Sequence, residues 1–130
     1  MAKSEHKKLI KECDDLWSEI IKKRAGYKSE LSGVYGVQLD KEIGSILQAH
    51  HIAKKPNLRL RYDLDNGICL TKWEHRYGIH GNHEEEYRKR IKQVRGEDVY
   101  ERLSLLRNVT IKDLRLTKLF LLMELKKDGK

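Results

Sequence analysis

Five of the chain's six histidines fall between positions 46 and 83, on or beside two short apolar runs separated by a polar turn. The first run is Ile46-Leu47-Gln48-Ala49-His50-His51-Ile52 and the second is Ile68-Cys69-Leu70, entered through Asp63-Leu64-Asp65-Asn66-Gly67. Each run reads as a strand in a core, and the Asn66-Gly67 pair suits a turn with positive φ. From Lys72 the chain reads as helix, with an interruption near residues 78–82 and with His75 near its start. Adjacent strand residues point to opposite faces, so His50 and His51 cannot bind one metal as neighbours and take separate roles. One can ligate while the other faces a substrate phosphate, and His75 can complete a metal site from the helix.

The remaining segments supply cover for such a core. Residues 4–24 predict an amphipathic helix, with Ser4 as N-cap and Leu9, Ile10, Cys13, Leu16, Trp17, Ile20 and Ile21 at spacings of three and four. Gly26 ends it. Residues 27–45 read as loop, Lys54-Lys55-Pro56-Asn57 as a basic loop, and Leu58-Arg59-Leu60-Arg61-Tyr62 alternates as an extended segment should. A helix over about 83–95 stops at Gly96, and another covers 97–106. Thr110 with Asp113 makes a capping-box-like start to a last helix bearing Ile111, Leu114, Leu119, Phe120, Leu122, Met123 and Leu125. Trp17 is expected in the core and Trp73 at least partly buried. At 130 residues one domain is expected, with an N-terminal helix (1–26), a central α+β core (27–83) and a C-terminal helical extension (84–130).

Charge narrows the classes of partner. Lys and Arg total 28 against 20 Asp and Glu, a net +8, and the segment 46–83 holds twice as many basic as acidic groups. That excess points to a polyanion, most simply nucleic acid. No run approaches the roughly 18 apolar residues of a membrane span, and residues 1–6 carry no signal-like apolar stretch. Cys13 and Cys69 alone make neither a disulfide framework nor a structural zinc site, and a reducing, cytoplasmic setting is expected.

The order Leu47-Gln48-Ala49-His50-His51-Ile52, then Leu60-Arg61-Tyr62-Asp63-Leu64-Asp65-Asn66-Gly67-Ile68-Cys69-Leu70, then His75 resembles an HNH endonuclease. The closest flavour is the small phage and bacterial HNH proteins, including the NinG-type recombination nucleases. The likeness covers residues 47–80 by motif. It implies a ββα-metal core in which two strands and a helix hold one divalent cation. It also implies that His50 and His75 are metal ligands, that His51 is the general base, and that Asn66 braces the loop and helps orient that base. The family's third ligand stands one helical turn beyond His75, where this chain has Ile79; His80 is the nearest candidate and His83 the next. His80 fits only if Gly78 lets the helix unwind. Where relatives carry zinc-knuckle cysteines this chain has Ser29, Ser32, Thr71 and Glu74, so the resemblance implies no structural zinc.

These residue types suit phosphodiester hydrolysis. Neutral imidazole, with a reference pKa of about 6.5, can take a proton from water. A cation on His50 and His75 would neutralise charge at phosphate and leaving oxygen. Imidazole favours Zn, Ni, Co or Mn, and phosphate oxygens and water keep Mg or Mn open. Lys54, Lys55, Arg59, Arg61, Lys72 and Arg76 are the candidate contacts to backbone phosphate, with Arg61 and Arg76 preferred for bidentate grip. The expected activity is a metal-dependent DNA endonuclease, phage or prophage encoded, that nicks one strand per site. The alternatives are a catalytically inactive HNH-like nucleic-acid-binding module and an interaction module that forms a homodimer through the apolar stretch 119–125.

Overall fold

The computed structural model describes residues 3–33, 47–53, 58–79, 81, 83–106 and 113–127. Helix α1 (Lys3–Arg24) carries Glu5 in its first turn and Lys22, Lys23 and Arg24 in its last, charges that complement the helix dipole. Its buried residues are Leu9, Cys13, Trp17, Ile20 and Ile21, the face anticipated from their spacing. Ser4 lies inside the helix, so it does not cap it.

Strands β1 (Leu47–His51) and β2 (Gly67–Thr71) form a two-stranded antiparallel sheet, with His50 opposite Ile68 and His51 opposite Gly67. Both faces of this ribbon are covered, which is why its strands read as continuous apolar runs. Leu47, Ala49 and Cys69 face α1 and join a core with Trp17, Ile21, Tyr62 and the buried Leu114 and Leu121 of helix α5 (Leu114–Lys127). Ile68 and Leu70 face the other way, against Ile91 of α3 (Glu84–Arg95), with Tyr87 and Tyr100 beside them. Helix α4 (Glu97–Leu105) follows directly on α3. Gly96 joins the two at φ 98°, a left-handed conformation that a side chain would strain.

Three local expectations are corrected. The segment Leu58–Arg61 is a single helical turn, α2, rather than an extended strand. Alternation over so few residues does not separate a strand from one turn of helix, and of this turn Leu60 is buried. Asn66 and Gly67 do not form a positive-φ turn: Leu64–Asn66 is a 3-10 turn capped by the Asp63 side chain, and Gly67 is extended at φ −126°. Gly67 is required for space instead, since a Cβ there would come within 2.5 Å of Ile21 Cδ1 and 2.8 Å of Trp17 Cζ2. Finally, Asp113 caps α5 itself, accepting from the N–H groups of Arg115 and Leu116 at 2.9 and 3.2 Å. Thr110 lies outside the described residues.

The helix that follows β2 starts through a capping box. Thr71 Oγ1 accepts from Glu74 N at 3.0 Å while Glu74 Oε1 accepts from Thr71 N at 2.8 Å. Its later part, Glu74–Ile79, is wound as a π-helix. The described chain is therefore a mixed α and β structure in which an antiparallel strand pair is succeeded by a helix.

Candidate functional site: histidines on a strand pair and its helix

The strand pair and the capped helix bring His50 and His75 together from 25 positions apart in sequence. Their ring centroids lie 4.9 Å apart with planes at 60°. Two imidazoles that bind one ion through ring nitrogens at about 2.0–2.1 Å place their centroids roughly 5 Å apart. The observed separation is of that size, and it is equally that of an ordinary edge-to-face contact between two rings. Among the described residues no group of three or more metal-ligating side chains forms. His80 lies outside the described residues. His83 is exposed at the N-terminus of α3, with Nδ1 3.8 Å from Glu86 Oε2.

His51 faces the opposite side of the ribbon, where its ring lies parallel to the indole of Trp17 at 4.0 Å and 5°. Its Nε2 sits 2.9 Å from the carbonyl oxygen of Arg61. A carbonyl only accepts, so Nε2 carries a proton and donates it to this oxygen. Trp17 is itself held, donating from Nε1 to the Asp63 carbonyl at 3.0 Å.

Asn66 is fully buried. Its Oδ1 accepts from Ala53 N at 2.6 Å, and its Nδ2 donates to the carbonyls of Ala53 and Leu60 at 3.0 and 2.8 Å. The side chain thus ties the exit of β1 to the turn α2. Leu60 and Arg61 are consecutive, so Asn66 restrains the carbonyl next to the one that receives His51.

The basic residues divide. Arg61 makes a bidentate pair with Asp14 of α1, Nε to Oδ1 at 2.7 Å and a terminal nitrogen to Oδ2 at 2.5 Å. Asp14 also accepts from the Tyr62 hydroxyl at 3.0 Å. Arg59 pairs with Asp63 at 2.9 Å. Both guanidinium groups are thereby engaged within the fold. Lys72 and Arg76, close to His75 in the chain, are exposed. Lys54 and Lys55 lie outside the described residues.

The four positions that match zinc-knuckle cysteines do come together, through hydrogen bonds. Ser29 Oγ donates to Glu74 Oε1 at 2.7 Å and accepts from the N–H groups of Leu31 and Ser32, each at 3.1 Å. With the Thr71–Glu74 box this fastens the loop after α1 to the start of the His75 helix. Ser29 and Glu74 are both buried.

Sequence reasoning missed Trp17 as a partner of the candidate base, and Asp14 as the anchor of Arg61. The helical spacing marks Trp17 as core, which it also is; nothing in the spacing names the ring it would meet. The Thr71-Lys72-Trp73-Glu74 box was legible and overlooked. Trp73 is exposed, against the expectation of at least partial burial. Comparison with known proteins finds no matching family model, no matching curated protein and no matching solved structure.

Proposed function

We propose that the protein is a metal-dependent DNA endonuclease of the HNH type, with a ββα-metal core and one divalent cation per site. The observation that carries this reading is the meeting of His50 from β1 with His75 from the helix after β2, at a separation suited to one ion. The buried Asn66 side chain, and the His51 ring held by Trp17 and the Arg61 carbonyl, support it.

In this reading His51, at the end of β1 next to His50, takes the proton of a water that attacks phosphorus. Trp17 and the Arg61 carbonyl hold that ring in orientation, and Asn66 holds the turn that carries the carbonyl. His50 and His75 are the residues that would hold a divalent cation, which would supply charge neutralisation at the phosphate and the leaving oxygen. Lys72 and Arg76 flank the duplex backbone. Cleavage of one strand at a time is the expected outcome of a single site.

The test is incubation of supercoiled plasmid with the purified chain and Mg, Mn, Ni, Co or Zn supplied in turn. Nicking that is abolished by chelator and by His50→Ala or His75→Ala supports the proposal. Activity indifferent to metal and to both substitutions contradicts it. Retained DNA binding without cleavage under any metal favours the inactive binding module.

A further inference from the structure

Outside the histidine cluster, one pocket of about 300 Å³ opens between the loop after α1, the start of the His75 helix and α3. Ser32, Thr71, Trp73, Glu74, Tyr87 and Arg90 line it. Trp73 is 64% exposed, an expensive placement for the largest side chain on a surface otherwise rich in charge. Arg90 lies with its guanidinium carbon 5.3 Å from the centre of the Tyr87 ring, a cation–π arrangement that holds a flat, charged surface at the mouth. Lys89 adds a further exposed cation on α3.

We propose that this pocket binds an unpaired nucleotide of a single-stranded or branched nucleic acid, with the base stacked on Trp73 and the adjoining phosphate on Arg90. Every base offers a π face, and aromatic platforms beside basic side chains are the general means of holding unpaired strands. The charges also sort the occupant. Glu74 on the wall repels phosphate and Arg90 attracts it, so the base turns inward and the backbone outward. Glu74 is fixed in place, because Ser29 and Thr71 both bond its Oε1. Trp73 stands two residues before His75 on the same helix, a step that turns the two side chains to different sides, so the pocket is separate from the histidine pair. It shares with the endonuclease proposal only the requirement for nucleic acid.

The experiment measures binding, without cleavage, by fluorescence anisotropy of labelled single-stranded, flap and blunt duplex oligonucleotides in chelator. Wild-type chain should prefer the single strand and flap to the duplex. Trp73→Ala should weaken flap binding about 5- to 100-fold, Trp73→Phe should keep most of it, and neither should move duplex affinity. Arg90→Gln should weaken flap binding and reduce its salt dependence. Circular dichroism confirms that each variant is folded, since Trp73 is a surface residue. Equal affinity for flap and duplex in the wild type, or an unchanged flap affinity in folded Trp73→Ala, overturns the pocket and leaves the endonuclease proposal standing. Tryptophan-dependent flap binding with no cleavage under any metal supports the pocket and overturns the endonuclease.

Discussion

The imidazole of His51 lies flat against the indole of Trp17, with centroids 4.0 Å apart and planes 5° from parallel. The contact joins the last residue of β1 to the middle of α1. It also links the candidate base to the main apolar core, because Trp17 is 3% exposed and packs beside Ile21. The ring of His51 is therefore fixed on one face by the indole and at one edge by the Arg61 carbonyl.

Loss of that flat support should show in rate. Trp17→Leu should slow plasmid nicking on the order of 100-fold, the scale of a misplaced catalytic group, and Trp17→Phe should recover most of the rate. The measurement is single-turnover nicking at a temperature where both variants are folded. Equal rates for Leu and wild type would show that the stack only fills space.

Asn66 makes three hydrogen bonds from a position without solvent access. Asn66→Ala removes the partner of the Ala53 N–H and of the Ala53 carbonyl and leaves the Leu60 carbonyl with the Asp63 N–H at 3.3 Å, at about 1–3 kcal/mol for each group left unpaired. Urea unfolding should report a loss of roughly 2–5 kcal/mol. Asn66→Asp retains the acceptor and loses both donated bonds, and should be destabilising as well. A neutral Asn66→Ala would remove the bracing role.

Acid should unfold the protein partly through Asp63. Burial pushes this carboxyl up, but the paired hydrogen bonds from Arg102, the Asp65 N–H and the charge of Arg59 outweigh it, and its pKa is held below the usual carboxylate value. A depressed pKa gives stability that is present above the unfolded-state value and lost as pH falls through the folded-state value. Arg102→Gln removes the main opposing group. Its acid-unfolding midpoint, followed by circular dichroism, should move to higher pH, with a loss of about 1–2 kcal/mol at neutral pH, at the low end because Arg102 is partly exposed. An unchanged midpoint contradicts this account.

Both thiols should be inert in the folded chain. Burial pushes Cys13 up to about 11, helped by Asp14 and Glu12, and pushes Cys69 up to about 11, helped by Glu30. Little thiolate is then present at neutral pH. A disulfide-exchange reagent at pH 7.5 should label neither cysteine until denaturant is added. Rapid labelling of either in buffer would contradict the packing around it.

How far the sequence could be read follows from what each element depends on. Helix α1 was legible because one apolar face at helical spacing meets one core. β1 and β2 were legible because apolar runs bounded by turn residues mark strands covered on both faces. The Leu58–Tyr62 segment was misread since alternation over five residues fits one turn of helix as well as a strand. The Asn66-Gly67 pair was misread because glycine answers two demands, torsion and space, and here Ile21 and Trp17 set the second. In the site, the pairing of His50 with His75 follows from antiparallel strands and an adjoining helix. The contacts of His51 with Trp17 and of Arg61 with Asp14 span separate segments, with no periodicity to announce them.

In the proposed reaction His51 removes the proton from the attacking water in a metal-dependent nick. The most direct test compares wild type with His51→Ala on supercoiled plasmid, in the metal that best supports activity, with DNA affinity measured alongside. The account predicts wild-type nicking, a loss of at least about 100-fold in the variant, and equal DNA binding by both. A variant that nicks at the wild-type rate would contradict it.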